Sequence, residues 1–265
     1  MGNDGITAQQ QQVGRLMIEF YEQWRKDDVL SACPYEDKLV KGNSLAFLLA
    51  ILLDGQVAAG TAVAAPHRLK KRLKARNIAF TPAAIAGTHL GTLKALANEE
   101  PKLHRYPNVA AKLVKQAAEQ IVREYRGDAD LVFDVYSARE LYLRLINFNG
   151  IGDKKANMGV RLAVEYVGYD YFDVDQIHVP VDVHVVRVFR RTGLVPPTGD
   201  RTEIQAIAKR LSPDAPWKLD AAWPIGATWC RPKGARCDGE GDGSSDEWFE
   251  PCPLRSKCPR LTQID

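Results

Sequence analysis

Residues 44–53, Ser-Leu-Ala-Phe-Leu-Leu-Ala-Ile-Leu-Leu, carry a single side-chain polar atom in ten positions. Within the longer stretch 43–56, Asn43 and Ser44 are candidate N-caps, and the segment they open is apolar on every side. Such a helix must be surrounded by other elements. The apolar run 45–53 is about half the length that a membrane span needs, so the surroundings have to be protein. The chain has 265 residues, enough for one large domain or two small ones, and 45% of them are apolar. That composition supports a packed core and excludes wholesale disorder.

The remaining elements also read as helices. In 108–127, Val109, Leu113, Val114, Ala117, Ile121 and Val122 recur at helical spacing, with Gly127 as a stop. Residues 137–148 are amphipathic behind Ser137 as a cap. Residues 154–168 follow a glycine turn, and 183–193 end in arginines and Gly193. Only 172–181 hints at period-two alternation, so the expected class is all-α. No fixed-period repeat is present. The basic run 67–76 reads as a solvated helix face. The acidic run 238–250, rich in glycine and serine, reads as an exposed loop, and its faint likeness to a calcium loop fails on the position of the closing glutamate. The first residues lack the basic and apolar regions of a secretory signal. The expectation is a soluble cytoplasmic protein, with no membrane partner.

Four of five cysteines, Cys230, Cys237, Cys252 and Cys258, fall in the last 36 residues. Without an export signal, this clustering favours a metal over disulfides. Cys33 stands apart and reads as a small buried hydrophobe.

The stretch Asn149-Gly150-Ile151-Gly152-Asp153-Lys154-Lys155 offers chemistry. A tight turn without Cβ atoms lets backbone N–H groups approach a phosphate, and the helix that follows adds its positive end. Lys154 lies in the first turn of that helix, where the dipole opposes an ammonium and any burial adds to the preference for a neutral amine. A neutral lysine can form a Schiff base with a sugar aldehyde. The plain alternative is a tight turn between two helices.

Residues 149–164, followed by 179–194, resemble the endonuclease III-like branch of the helix–hairpin–helix DNA glycosylases. The family hairpin, Gly-x-Gly-x-Lys-x-Ala, is matched by Gly150, Gly152, Lys154 and Ala156. The signature Val-Asp-Thr-His-Val-x-Arg-Val is matched from Val181 to Val188, with Val183 in place of threonine. The resemblance implies Lys154 as the lyase nucleophile and Asp182 as the catalytic carboxylate. Lys155 would be a surface neighbour, able at most to touch a phosphate. Asp182 also stands where the N-cap of 183–192 belongs, and the two roles are compatible. The lysine and aspartate lie 28 positions apart, longer than is usual in the family. The insertion 169–178 accounts for this and supplies Asp170, Asp173 and Asp175 as rivals, none of which has the flanking His-x-x-Arg.

The cysteines match the two halves of the family's [4Fe–4S] loop, but 14 residues separate Cys237 from Cys252 where the family has two. The resemblance implies a [4Fe–4S] cluster; structural zinc or unliganded thiols are the alternatives. The cluster's role would be structural, fixing a loop that displays Arg231, Lys233 and Arg236 toward phosphates, with the acidic insert directed away.

The implied architecture is two helical domains flanking a DNA-binding cleft. One is a six-helix barrel with the hairpin (37–168); the other is a cluster domain built from 1–36 and 169–265. The implied activity is base excision with AP lyase chemistry on double-stranded DNA holding a damaged base or an abasic site, by a monomer. The target nucleotide must leave the stack. Gln56 matches the residue that fills the vacated space, and 103–108 matches the loop that wedges the opposite strand through Leu103, His104, Arg105 or Tyr106. An oxidised pyrimidine is the default substrate by analogy; uracil, mismatched bases, oxidised purines and alkylated bases stay open. Lys154, and Ala50 at a position that is acidic in adenine-specific mismatch glycosylases, separate the chain from those enzymes. A non-catalytic DNA-binding protein would need neither Lys154 nor Asp182, and a redox protein would not need the hairpin.

Overall fold

The computed structural model describes residues 5–26, 35, 37–238 and 250–261. They form helices and turns, with no strand among them, and no helix is long and apolar enough to cross a membrane. Cys33 and most of the acidic run lie outside the described residues. The chain divides into two units: Ala32–Asp173, and Met1–Ser31 together with Val174–Asp265.

The first unit is built around its apolar helix. After α2 (Lys38–Lys41), α3 (Ser44–Leu53) begins at Asn43, whose side chain accepts from the Ala46 N–H at 2.9 Å. Every residue from Leu45 to Leu53 is buried. The shell around it comes from α4 (Ala59–Lys74), α7 (Pro107–Glu124), α8 (Asp130–Phe133) and α10 (Asp153–Leu162). Each buried leucine, isoleucine or phenylalanine contributes roughly 1.5–3 kcal/mol, so this helix is the largest single source of the unit's cohesion.

The basic run on α4 is only partly a solvated face. Arg72 turns inward and donates to the carbonyls of Leu96 and Pro101, both at 2.7 Å, at the end of α6 (Leu90–Asn98). On α7 the inward stripe runs through Ala110, Ala111, Val114, Ala117, Ala118 and Ile121. The expected stripe members Val109 and Val122 instead face solvent. Alanines carry the buried face because α5 (Pro82–Gly87) and α6 pack closely there, and small side chains permit that approach.

Helix α9 (Ala138–Ile146) is capped twice. Ser137 accepts from the Glu140 N–H, while Asp173 accepts from Ser137 Oγ at 2.7 Å and from the Ala138 N–H at 2.6 Å. The division expected at 168/169 therefore falls at 173/174. Residues 169–173 are held here by Asp173, by a Phe172 N–H bond to the Tyr136 carbonyl, and by ring stacking of Phe133, Tyr169 and Tyr171. The alternation suggested for 172–181 yields a single 3-10 turn, Val174–Gln176.

In the second unit α1 (Ala8–Lys26) lays Val13, Met17 and Tyr21 against the 3-10 segment Pro216–Ala221 and α12 (Arg201–Leu211). Helix α12 opens with a reciprocal capping box between Asp200 and Glu203. Helices α11 (Val183–Arg191) and α13 (Ala222–Thr228) pack together and lead into the cysteine loop.

Candidate functional site

The hairpin between α9 and α10 turns at Gly150, whose φ of 93° lies in the left-handed region. A Cβ there would also lie 3.0 Å from Leu113 and 3.3 Å from Leu52, so both conformation and space demand glycine. Gly152 is the exposed N-cap of α10, and a Cβ on it would meet nothing within 4 Å. No side chain caps this end of α10. The positive end of the helix dipole makes the helix start a place for an anion. Below it, Tyr142 donates to Asp153 at 2.9 Å and Asn157 donates to the Asp153 carbonyl at 3.0 Å.

The two lysines have different environments. Lys154 is half-buried, and its Nζ meets only the Met158 thioether, at 3.8 Å. A thioether is a weak acceptor, so this amine is committed to no oxygen among the described residues. Lys155, expected at the surface, is turned inward. Its Nζ donates to the Leu52 carbonyl at 2.7 Å and to the Gly150 carbonyl at 3.0 Å. Burial pushes its pKa down, Asp54 opposes this, and Lys154 adds to it.

Leu52 lies in the last turn of α3, and Gln56 follows in the turn beyond. Gln56 is exposed with φ 58°, an unusual conformation for a residue other than glycine and one that clusters at functional sites. His104 shares a 2.8 Å hydrogen bond with the Gly55 carbonyl through Nε2 and accepts from the Tyr106 N–H at Nδ1, 3.0 Å away. This pattern fits the neutral tautomer with its proton on Nε2. Leu103 is buried and is removed from the wedge candidates. Arg105 and Tyr106 are exposed, the guanidinium 5.4 Å from the ring centroid.

Asp182, in the second unit, is the N-cap of α11. Its Oδ1 accepts from the N–H groups of His184 and Val185 at 2.9 and 3.0 Å. Its Oδ2 has no hydrogen-bond partner among the described residues, and Asp182 lines a concavity with Arg187, Arg190, Arg201 and Pro232. Of the rival aspartates, Asp173 is committed to capping α9 and Asp175 pairs with Lys209 at 2.8 Å, whereas Asp170 is exposed.

The four cysteines converge although the insert separates them. They line one pocket with Val188, Ile225, Trp229 and Leu254. The Cys252 N–H donates to the Cys237 carbonyl at 3.2 Å, closing the root of the insert. There too, Asp238 pairs with Arg255 and Arg260. All four are free thiols. Burial raises the pKa of Cys230 and Cys258, and pushes Cys252 up to about 12, its neighbouring cysteines adding to the effect. The described residues contain no group of His, Cys, Asp or Glu compact enough for a single metal ion.

Two arginines that sequence reasoning passed over hold this loop. Arg187 donates to the carbonyls of Cys230 and Gly226, and Arg191 to those of Arg231 and Pro232. Both are buried, and their spacing of four on α11, beside Val188, was the available signal. The loop they hold leaves Lys233 exposed and Arg231 and Arg236 partly covered.

Comparison with known proteins accords with this geometry. The profile of the HhH-GPD superfamily base excision DNA repair protein family matches residues 49–214. No curated protein matches the chain by sequence. Among solved structures, a trapped endonuclease III–DNA covalent intermediate aligns at TM-score 0.62 and 18% identity, covering 94% of this chain and 97% of the other. A thermostable thymine-DNA glycosylase aligns at TM-score 0.63 and 14% identity, covering 96% and 97%. The all-helical fold is the one these enzymes share, and the chain belongs to the HhH-GPD superfamily of base excision DNA repair glycosylases.

Proposed function

We propose that the protein is a DNA glycosylase with AP lyase activity, acting on double-stranded DNA through a Schiff base on Lys154. The observation that carries this reading is the Lys154 amine, half-buried and bonded to no oxygen among the described residues, in the first turn of a helix that no side chain caps. The first N–H groups of that helix, beyond the unobstructed Gly152, suit a phosphate of the backbone. Gln56 fills the space left by the extruded nucleotide, and Arg105 and Tyr106 press on the opposite strand.

The chemistry uses few groups. The Lys154 amine nitrogen attacks C1′ as the glycosidic bond breaks, the bonding pair leaving with the base. The Oδ2 of Asp182 stabilises positive charge developing on the sugar and accepts the proton shed by the attacking nitrogen. Asp182 returns that proton to O4′ as the C1′–O4′ bond opens, and the nitrogen lone pair forms the iminium. Loss of a C2′ proton then expels the 3′ phosphate oxygen and nicks the strand. By analogy with the family branch, the base removed is an oxidised pyrimidine.

The four cysteines fit a bound [4Fe–4S] cluster. They face one pocket with apolar walls, and Arg191 and the Arg260 N–H approach Cys230 and Cys258 sulfurs at 3.7 and 3.3 Å. Such a cluster would be structural, ordering the loop that carries Arg231, Lys233 and Arg236. A single zinc ion would need the four sulfurs drawn closer together than the described residues hold them, and the iron, sulfide and zinc content of the purified protein separates the two.

Borohydride trapping on a panel of duplexes, each with one lesion, tests the activity. An adduct on one lesion that Lys154→Ala abolishes is the expected result and names the substrate. Free base without any adduct would remove Lys154 as nucleophile. Neither base nor adduct, even on an abasic site, would overturn the enzymatic reading.

A further inference from the structure

Lys155 has no part in the chemistry described above, yet its geometry is more constrained than that of Lys154. Its ammonium sits at the C-terminal end of α3, where unpaired carbonyls and the helix dipole favour a cation. It bonds to Leu52 in that last turn and to Gly150 in the hairpin. Gly55 approaches so closely that a Cβ would lie 3.3 Å from both Cε and Nζ of Lys155. From the other side, His104 shares a hydrogen bond with the Gly55 carbonyl. The Gly55–Gln56 turn is thus pinned between the hairpin and the 103–106 loop, with Gln56 held in a left-handed conformation that an untethered chain seldom adopts.

We propose that Lys155 is a positioning residue, holding the Gln56 turn and the 103–106 loop in fixed register with the hairpin that carries Lys154. The proposal rests on the reading of those segments as the base-extruding elements. Lysine suits the task because one compact ammonium offers three donors to carbonyls on two different elements. The brace keeps the residues that enter the stack in place before any DNA arrives, so extrusion need not wait for loop ordering.

The test compares wild type with Lys155→Met, which keeps the length and loses the donors, and with Lys155→Arg, which restores charge and donors. Amide hydrogen exchange is followed at 54–57 and 104–106. Fluorescence is followed for a duplex with 2-aminopurine beside a tetrahydrofuran abasic analogue, which resists cleavage. In Lys155→Met, exchange at both segments should rise about tenfold or more while α1 is unchanged. Most of the fluorescence increase should disappear at saturating protein. Lys155→Arg should recover a substantial part of both signals. Unchanged exchange at 54–57, a rise throughout the chain, or an arginine variant no better than methionine would overturn the proposal. A wild-type protein that binds no duplex would overturn the functional reading instead, and the exchange result would still decide the brace.

Discussion

Arg191 donates from Nη1 to the carbonyl of Arg231 at 2.7 Å and from Nη2 to that of Pro232 at 3.2 Å, joining the interior of α11 to the loop after the first cysteine. The guanidinium is almost wholly buried, so methionine at this position would leave both carbonyls without their donors. Hydrogen bonds to buried charged groups contribute about 1.5–3 kcal/mol each in isolation and do not add fully. We expect Arg191→Met to cost about 3 kcal/mol and to lower the melting temperature by roughly 5–10 °C. Limited proteolysis should then cut first within 231–238. An unchanged melting temperature would show that the loop is held by other contacts.

The two hairpin glycines should separate in their effects. Gly150→Ala meets both a left-handed backbone and the side chains of Leu113 and Leu52, and should cost about 2 kcal/mol or more. Gly152→Ala meets no atom of the protein and should leave stability within about 0.5 kcal/mol of wild type. If a phosphate approaches this N-terminus, the added methyl will still weaken duplex binding several-fold. Thermal melts and binding isotherms on both variants decide it; a Gly152→Ala protein that binds normally would move the backbone contact elsewhere.

Asp173 predicts a pH dependence. Burial alone pushes its pKa up, but hydrogen bonds from Ser137 and from the N–H groups of Ala138 and Arg139 outweigh this, so the net shift is downward. A carboxylate with a lowered folded pKa stabilises fully above its unfolded value, near 3.8, and loses that contribution as pH falls through the folded value. Both oxygens of Asp173 accept, Oδ1 from Ala138 and Oδ2 from Ser137 and Arg139; asparagine keeps only one acceptor, so Asp173→Asn should cost about 1 kcal/mol at neutral pH. The difference from wild type should shrink below about pH 4. A gap that persists at acid pH would assign the effect to packing.

Several of these features were legible in the residues. A ten-residue segment with almost no polar atom has no surface orientation, so α3 could only be central. Asn43 and Ser137 cap because side-chain oxygens at those positions reach N–H groups that nothing else satisfies. On α7 the expected phase holds at Val114, Ala117 and Ile121, but its edges differ because hydrophobic size is a poor guide where helices pack closely: alanines took the remaining inward positions, and Val109 and Val122 stayed out. Lys155 was invisible for another reason. Its partners are main-chain carbonyls of Leu52 and Gly150, and a carbonyl has no letter in the sequence. Arg187 and Arg191 share that limitation, since their acceptors lie some 40 residues away along the chain.

Asp182 offers the cleanest separation of structure from chemistry. Its Oδ1 caps α11 through two backbone N–H groups, while Oδ2 has no partner among the described residues. Asparagine is as good an N-cap as aspartate, whereas alanine loses about 1 kcal/mol. Asp182→Asn should therefore melt within about 0.5 kcal/mol of wild type, and Asp182→Ala about 1 kcal/mol lower. If the carboxylate serves the sugar, base release should fall at least a hundredfold in both variants. Duplex binding should hold, because no positive charge that contacts phosphate is removed. Activity that instead follows stability, retained in the asparagine variant and reduced only in alanine, would leave Asp182 as a cap and make exposed Asp170 the next carboxylate to substitute.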